Sequence, residues 1–371
     1  MARKIIISGG GTGGHIFPAV SIANEIKRRE PDADIRFVGA KGGMEMEVVP
    51  RYSFPIEGLW ISGIYRQPTL RNIRRNLLFP FKLLSSLAAA RGIVKRFKPE
   101  AVVGVGGFAS GPVGRIAGSM GIPLFLCEQN AYPGLVNKWL AGKATQILLG
   151  NADAEKYFDK SKTVYTGNPI RSMELPEKRA AKQALGFDPD KPLILSLGGS
   201  LGARTLNDAW LTHYQKVIDA DVQLFWQCGK IYIEELKPKV KEHPNLQVSA
   251  FIQDMATAYG AADLIVTRAG GSTISELIAL SKPSIMVPSP NVAEDHQTKN
   301  ARSLSDKDAA VLVKDIEARE VLADTALRVL LDADRLAQLT TNITEMEKHD
   351  AAKEIVDVIM SHLSPSTVLN N

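Results

Sequence analysis

Three glycine runs stand where short apolar segments give way to helical patterns. Ser8-Gly9-Gly10-Gly11-Thr12-Gly13-Gly14-His15 follows the apolar run Lys4–Ser8. Gly198-Gly199-Ser200-Leu201-Gly202 follows Leu193–Leu197, and Gly270-Gly271-Ser272-Thr273-Ile274-Ser275-Glu276 follows Asp263–Thr267. Glycine at such a junction lets the backbone turn tightly and approach an anion closely. The first turn of the helix beyond it supplies N–H groups and the positive end of a dipole. The chemistry implied is phosphate recognition. Glu276 has two readings at this stage. It either caps and compensates its own helix, with Ser272 or Thr273 as the N-cap, or accepts hydrogen bonds from a ribose diol.

The first run satisfies the dinucleotide pattern GxGxxG at Gly9, Gly11 and Gly14. That pattern calls for an acid at the end of the second strand to hold a ribose. The second strand here ends Phe37-Val38-Gly39-Ala40-Lys41, with no acid. A nicotinamide- or flavin-dependent oxidoreductase is therefore the weaker reading, and a purely structural glycine turn is a further alternative.

The elements that must position these loops are legible in outline. Lys4–Ser8, Ile35–Val38, Ala101–Gly104 and Leu124–Cys127 read as buried strands, with amphipathic helices between them. Near Asn168-Pro169 the pattern restarts, and Leu193–Leu197, Asp263–Thr267 and Ser284–Val287 repeat it. The expectation is an α/β chain of two doubly wound parallel-sheet domains, residues 1–166 and 167–349. A C-terminal helix, within about 350–371, is open to packing on either.

The 371 residues carry a net charge of +5 and a pI near 9.0, which points to an anionic partner. Cys127 and Cys228 make no CxxC or Cys/His cluster, so neither a disulfide framework nor a zinc site is expected. The opening Met1–Ile7 lacks the apolar run of a secretory signal, and no stretch is long and apolar enough to span a bilayer.

Taken together, the motifs are more specific than any one alone. Gly10-Gly11-Thr12-Gly13-Gly14-His15-Ile16-Phe17-Pro18, Gly106-Gly107-Phe108-Ala109-Ser110-Gly111-Pro112 and Glu128-Gln129-Asn130 come first. Gly167-Asn168-Pro169-Ile170-Arg171, Gly198–Ala203, Gly270–Glu276 and Asp295-His296-Gln297-Thr298-Lys299-Asn300-Ala301 follow. In this order they resemble the MurG family over about residues 4–360. These enzymes move N-acetylglucosamine from UDP-N-acetylglucosamine to undecaprenyl-pyrophosphoryl-N-acetylmuramoyl pentapeptide, turning lipid I into lipid II in peptidoglycan synthesis.

The resemblance implies the GT-B fold: two Rossmann-like domains facing across a cleft, the donor mainly on the C-terminal one and the acceptor on the N-terminal one. It implies donor contacts from Arg171 and Ser200, and a uracil contact through the backbone of Ile252. It places the uracil and phosphates along Gly271, Ser272, Thr273, Ile274 and Ser275, the ribose on Glu276 and the sugar hydroxyls on Gln297. Thr12, Gly13, Gly14 and Asn130 would reach in from the N-terminal domain. Two positions depart from the family pattern. Cys127 stands where His is frequent, and Leu201 where Gln is common.

Displacement of UDP by an acceptor hydroxyl, with inversion, needs a base and a way to hold departing charge. Imidazole in general titrates near neutrality, which makes His15 the candidate base, with Glu128 as the alternative. His15 could instead only orient the acceptor. Helix N-termini and Arg171 serve the pyrophosphate, so no metal and no cofactor is expected. The Asp-x-Asp pairs at Asp32–Asp34, Asp188–Asp190 and Asp332–Asp334 read as solvated turns.

From Trp60 to Lys98 there are nine Arg or Lys and no Asp or Glu. Leu83, Leu87, Ala90, Val94 and Phe97 form a helical core stripe. Leu77, Leu78, Phe79 and Phe81 precede it or fall off it, among Arg71, Arg74, Arg75 and Lys82. Apolar groups ringed by cations suit an anionic membrane surface, and with the resemblance this implies a peripheral protein on the cytoplasmic face of the cell membrane. No nucleic-acid module is present, and other cell-wall synthesis proteins are possible partners. The alternatives are a GT-B transferase with another lipid or small-molecule acceptor, or a non-catalytic membrane-associated binder.

Overall fold

Ile5, Ile6 and Ile7 form the centre of the first strand, and none of the three is exposed. Alternate side chains of a strand point to opposite faces, so this strand must be covered on both. A computed structural model, which describes residues 2–63, 69, 72, 76–170, 173–199, 201–292, 295–346 and 349–363, shows how. The chain forms two units, residues 1–171 with 349–371, and residues 172–348.

In the first unit the strands are β1 (Lys4–Ser8), β2 (Asp34–Ala40), β3 (Ile56–Leu59), β4 (Ala101–Gly104), β5 (Leu124–Glu128), β6 (Gln146–Leu149) and β7 (Thr163–Tyr165). They make one parallel sheet in the order β3-β2-β1-β4-β5-β6-β7. Ile5, Ile7, Phe37 and Val103 pack under the helices Gly13–Arg29 and Ala351–Ser361. Ile6, Val38, Val102 and Leu124 pack under Phe79–Phe97 and Ser110–Ser119. The helix Phe79–Phe97 buries Ala90, Val94 and Phe97 of the stripe read from the sequence, with Leu83 and Leu87 half-buried against the same core.

The second unit holds β8 (Leu193–Leu197), β9 (Gln223–Gln227), β10 (Leu246–Ser249), β11 (Leu264–Thr267), β12 (Ser284–Met286) and β13 (Val311–Leu312). Its parallel order, β10-β9-β8-β11-β12-β13, repeats the plan of the first sheet. Two tryptophans fill the core beneath Arg204–Asp219. Their indole N–H groups are satisfied, Trp210 by Ser196 Oγ at 2.7 Å and Trp226 by Asn207 Oδ1 at 2.9 Å.

In both sheets the order reverses beside the first strand made, between β1 and β4 and between β8 and β11. Ligands of open parallel sheets gather at such a switch point, outside the carboxyl ends of the strands. The glycine runs sit at these ends.

Candidate active site

In the first unit, Ser8 pairs with Gly104 and Gly104 with Leu126, so the loops after β1, β4 and β5 leave one edge of the sheet. The helix after β1 starts at Gly13, with Thr12 as an extended N-cap that makes no side-chain cap. Gly106 and Gly107 of the second loop lie at φ +91° and +82°. A side chain on Gly107 would put its Cβ 2.3 Å from the Gly10 carbonyl, and one on Gly106 would meet His15 at 2.8 Å. The two loops therefore touch, and only glycine permits it.

His15 is half-buried at this junction, with Nδ1 3.0 Å from Gly10 O. A carbonyl only accepts, so a hydrogen bond here requires the proton on Nδ1. Thr12 Oγ1 lies 3.4 Å from the same Nδ1.

Glu128, at the end of β5, is 2% exposed. Its carboxylate accepts from Asn130 N (3.1 Å), Asn130 Nδ2 (3.2 Å), Gly134 N (2.9 Å) and Asn137 Nδ2 (2.8 Å). Burial raises its pKa, while these bonds pull it down. Glu128 thus organises the loop that carries Asn130. Cys127 beside it faces the core, its thiol pushed up to about 12 by burial and by the neighbouring Glu128.

Sequence reasoning missed Glu45. It is 1% exposed, and it accepts from Ala40 N at 2.8 Å and from Gly11 N at 2.9 Å. A carboxylate does reach the end of β2, then, from five residues farther on. It serves backbone N–H groups, one of them in the first glycine loop. The signal available was Gly42-Gly43 just ahead of an acid, which by itself reads as a turn opening a surface helix.

In the second unit, Leu197 pairs with Gln227 and Thr267, and Gln227 with Ser249. The loops carrying Gly198–Gly202, Ile252 and Gly270 share one edge. The side chains of Ile252 and Ile274 are buried in the core at 5% and 4% exposure, and the Ile274 N–H donates to Gly270 O at 3.0 Å within its helix. Arg171 and Ser200 lie outside the described residues.

The capping reading of Glu276 is corrected here. The helix is Gly271–Ala279 with Gly270 as N-cap, no side-chain cap and no acid in its first turn. Ser272 and Thr273 lie inside the helix rather than at its cap, and Ser275 Oγ donates to Gly271 O at 3.2 Å. Glu276 is its sixth residue, and its Oε2 accepts from the buried Tyr259 hydroxyl at 2.8 Å. Burial, then the adjacent Glu276 charge, hold the Tyr259 phenol well above its ordinary range. The carboxylate is thereby fixed in direction.

Gln297 is the second residue of the helix His296–Ser305, and its Oε1 accepts from Ser289 N at 2.8 Å. That bond occupies its amide oxygen as an acceptor. Asn300 Nδ2 donates to Ala269 O at 3.0 Å, tying this helix to the glycine loop.

Comparison with known proteins bears on the whole of this arrangement. Residues 5–149 match the glycosyltransferase family 28 N-terminal domain, and residues 193–355 match the glycosyltransferase family 28 C-terminal domain. A protein of Phocaeicola vulgatus is 50% identical over 358 residues, covering 95% of this chain and 94% of that protein. One of Bacteroides fragilis is 48% identical over 366 residues, covering 97% and 95%. Both bear the name UDP-N-acetylglucosamine–N-acetylmuramyl-(pentapeptide) pyrophosphoryl-undecaprenol N-acetylglucosamine transferase. Among solved structures, that of Acinetobacter baumannii MurG is similar at a TM-score of 0.76 and 29% identity, over 97% of this chain and 99% of that one. With matched domains at both ends and near-half identity along its length, the chain belongs to glycosyltransferase family 28 and, within it, to the MurG family.

Proposed function

We infer that this chain transfers N-acetylglucosamine from UDP-N-acetylglucosamine to the C4 hydroxyl of N-acetylmuramoyl-pentapeptide pyrophosphoryl-undecaprenol, with inversion. The observation that carries the reading is 50% identity over 95% of the chain to a protein named for that transfer. The first unit takes the acceptor and the second takes the donor. Thr12, Gly13, Gly14 and Asn130 orient the acceptor, and Nε2 of His15 removes the proton of its hydroxyl. Glu128, saturated by its own loop, holds Asn130 in place instead of acting as base.

On the donor side, the uracil lies against the backbone of Ile252. The N-terminus of Gly271–Ala279 and the Ser272 and Thr273 hydroxyls face the pyrophosphate, with Arg171 and Ser200 beside it. Glu276, aimed by Tyr259, takes the ribose, and Gln297 takes the sugar hydroxyls. Fixed dipoles and side chains of the chain itself offset the departing charge.

The start of Phe79–Phe97 meets an anionic membrane. Leu77 is 69% exposed and Phe81 66%, and Leu84, which the sequence reading passed over, is 65% exposed. Leu78 is exposed as well, whereas Phe79 is half-buried against the core and contributes packing rather than insertion. Lys82 donates to Ser62 Oγ at 2.9 Å and lies 5.9 Å from the exposed Trp60 ring. Arg71, Arg74 and Arg75 lie outside the described residues. No helix among the described residues is long and apolar enough to cross a membrane.

The test is turnover of UDP-N-acetylglucosamine with a short-chain lipid I analogue. Formation of the β-linked disaccharide supports the reading. UDP release without acceptor glycosylation, or no turnover with the analogue, overturns it.

A further inference from the structure

We propose that Glu45 is a positioning residue for His15, acting through the Gly10–Gly11 peptide bond. The proposal rests on the reading of His15 as the base. Glu45 Oε2 accepts the N–H of Gly11 at 2.9 Å. The carbonyl of that same peptide unit, Gly10 O, accepts Nδ1–H of His15 at 3.0 Å. One planar, conjugated amide thus carries a carboxylate at its nitrogen end and an imidazole at its oxygen end. Charge at the N–H shifts electron density toward the carbonyl oxygen, and hydrogen bonds in such a chain strengthen one another.

This is a carboxylate–imidazole pair with a peptide inserted between its members. It fixes the tautomer that leaves the lone pair on Nε2, and it stabilises the imidazolium once Nε2 has taken the acceptor proton. Nδ1 keeps its proton throughout, so no proton crosses the peptide. The O–H bond of the acceptor breaks and an N–H bond forms at Nε2.

The surroundings are shaped for that one carboxylate. Its other oxygen holds Ala40 N at 2.8 Å, and the residue is 1% exposed, so it cannot swing away. A Cβ on Gly10 would fall 2.2 Å from the Glu45 carboxyl carbon, one on Gly39 2.5 Å from its side chain, and one on Gly43 2.5 Å from a carboxyl oxygen. Three glycines, one in the first loop and two flanking the end of β2, are cleared around it. Gly10 and Gly11 sit at φ +156° and +86°, and the Gly11 value is one that L side chains rarely adopt.

The experiment combines nitrogen-resolved NMR of the histidines in the full chain with pH profiles of kcat/KM. Neutral His15 of the parent should be in the Nδ1–H form. Glu45→Gln should lower kcat by about tenfold or more, on the scale of partners that orient a functional histidine, with KM for the donor unchanged. It should also move the acid limb of the profile to lower pH, because an imidazolium without the relayed charge gives up its proton more readily. Glu45→Asp, which keeps the charge, should recover part of both. An Nε2–H tautomer in the parent overturns the proposal without any variant having to fold. So does an unmoved acid limb in folded Glu45→Gln. His15→Ala, run alongside, separates the failures. Near-normal turnover there removes the base itself, whereas collapse there with an unchanged Glu45→Gln profile removes only the relay.

Discussion

At the scale of single residues, the proposed donor site depends on one hydrogen bond. The Tyr259 hydroxyl donates to Glu276 Oε2 at 2.8 Å and so fixes the direction of the carboxylate proposed to take the ribose. Glu276→Ala should lower UDP affinity by one to two decades, since charge-assisted bonds are worth about 1.5–3 kcal/mol. It should also lower stability, because the buried phenol of Tyr259 loses its acceptor, at about 1–3 kcal/mol. Tyr259→Phe separates the two effects. It should cost about 0.5–1.5 kcal/mol of stability with a much smaller change in UDP affinity, read by calorimetry on one preparation. On the acceptor side, His15→Ala should cut kcat by about 10²–10⁴ and leave UDP affinity unaltered. The glycine loops were legible because positive φ is written in residue type: Gly106, Gly107, Gly199 and Gly202 all lie there. Glu45 was not legible. Its partners are backbone N–H groups 5 and 34 residues away, and no side-chain spacing encodes a bond to backbone.

At the scale of elements, the foot of the second sheet carries a cluster that the site does not use. Asp263, just before β11, accepts from Lys178 Nζ, from Lys182 Nζ and from Leu193 N, and these bonds hold its pKa below the usual value against its burial. Lys282, just before β12, faces the same group. Burial, then the Lys178 charge, lower its pKa to about 8. A lysine depressed in the folded state opposes folding wherever it is charged there. The penalty is fully present below pH 8 and is relieved as pH rises from about 8 toward the unfolded value near 10.4. Lys282→Met should therefore raise the melting temperature at pH 7, and the gain should shrink across that window. A gain that stays constant with pH would assign the effect to packing alone. The strands that escaped the sequence reading include all four sheet edges, β3, β7, β10 and β13. Edge strands are half-exposed and short, β13 only two residues long, so they lack the continuous apolar runs that mark the buried strands.

At the scale of the molecule, membrane attachment and catalysis should separate. Leu77, Phe81 and Leu84 each lie more than half exposed and outside the core. Changing all three to Ser should weaken co-sedimentation with anionic vesicles even at high salt, where the contribution of cations such as Lys82 is screened. Turnover of a water-soluble acceptor should persist. Loss of that turnover would mean that the segment builds the acceptor pocket instead. The C-terminal helix is the opposite case. Ile355, Val356 and Ile359 are buried in the first unit, and Arg29 reaches Asp357 at 2.5 Å. Removing residues 350–371 should cost the first unit on the order of 5 kcal/mol, taking about 1.5–3 for each buried aliphatic side chain. The second unit should melt as before, which differential scanning calorimetry would show.

That same helix sets an order of events during synthesis. All seven strands of the first unit, and the helices on one of its faces, precede residue 172, yet the other face is completed by residues beyond 348. A growing chain must carry the apolar flank of Gly13–Arg29 uncovered while the whole second unit is made. At about 5–20 residues per second, the 177 residues from Ser172 to Lys348 impose a wait of roughly 10–35 s. The first unit is begun first and finished last, and during that interval its open flank is the part of the chain a chaperone would find.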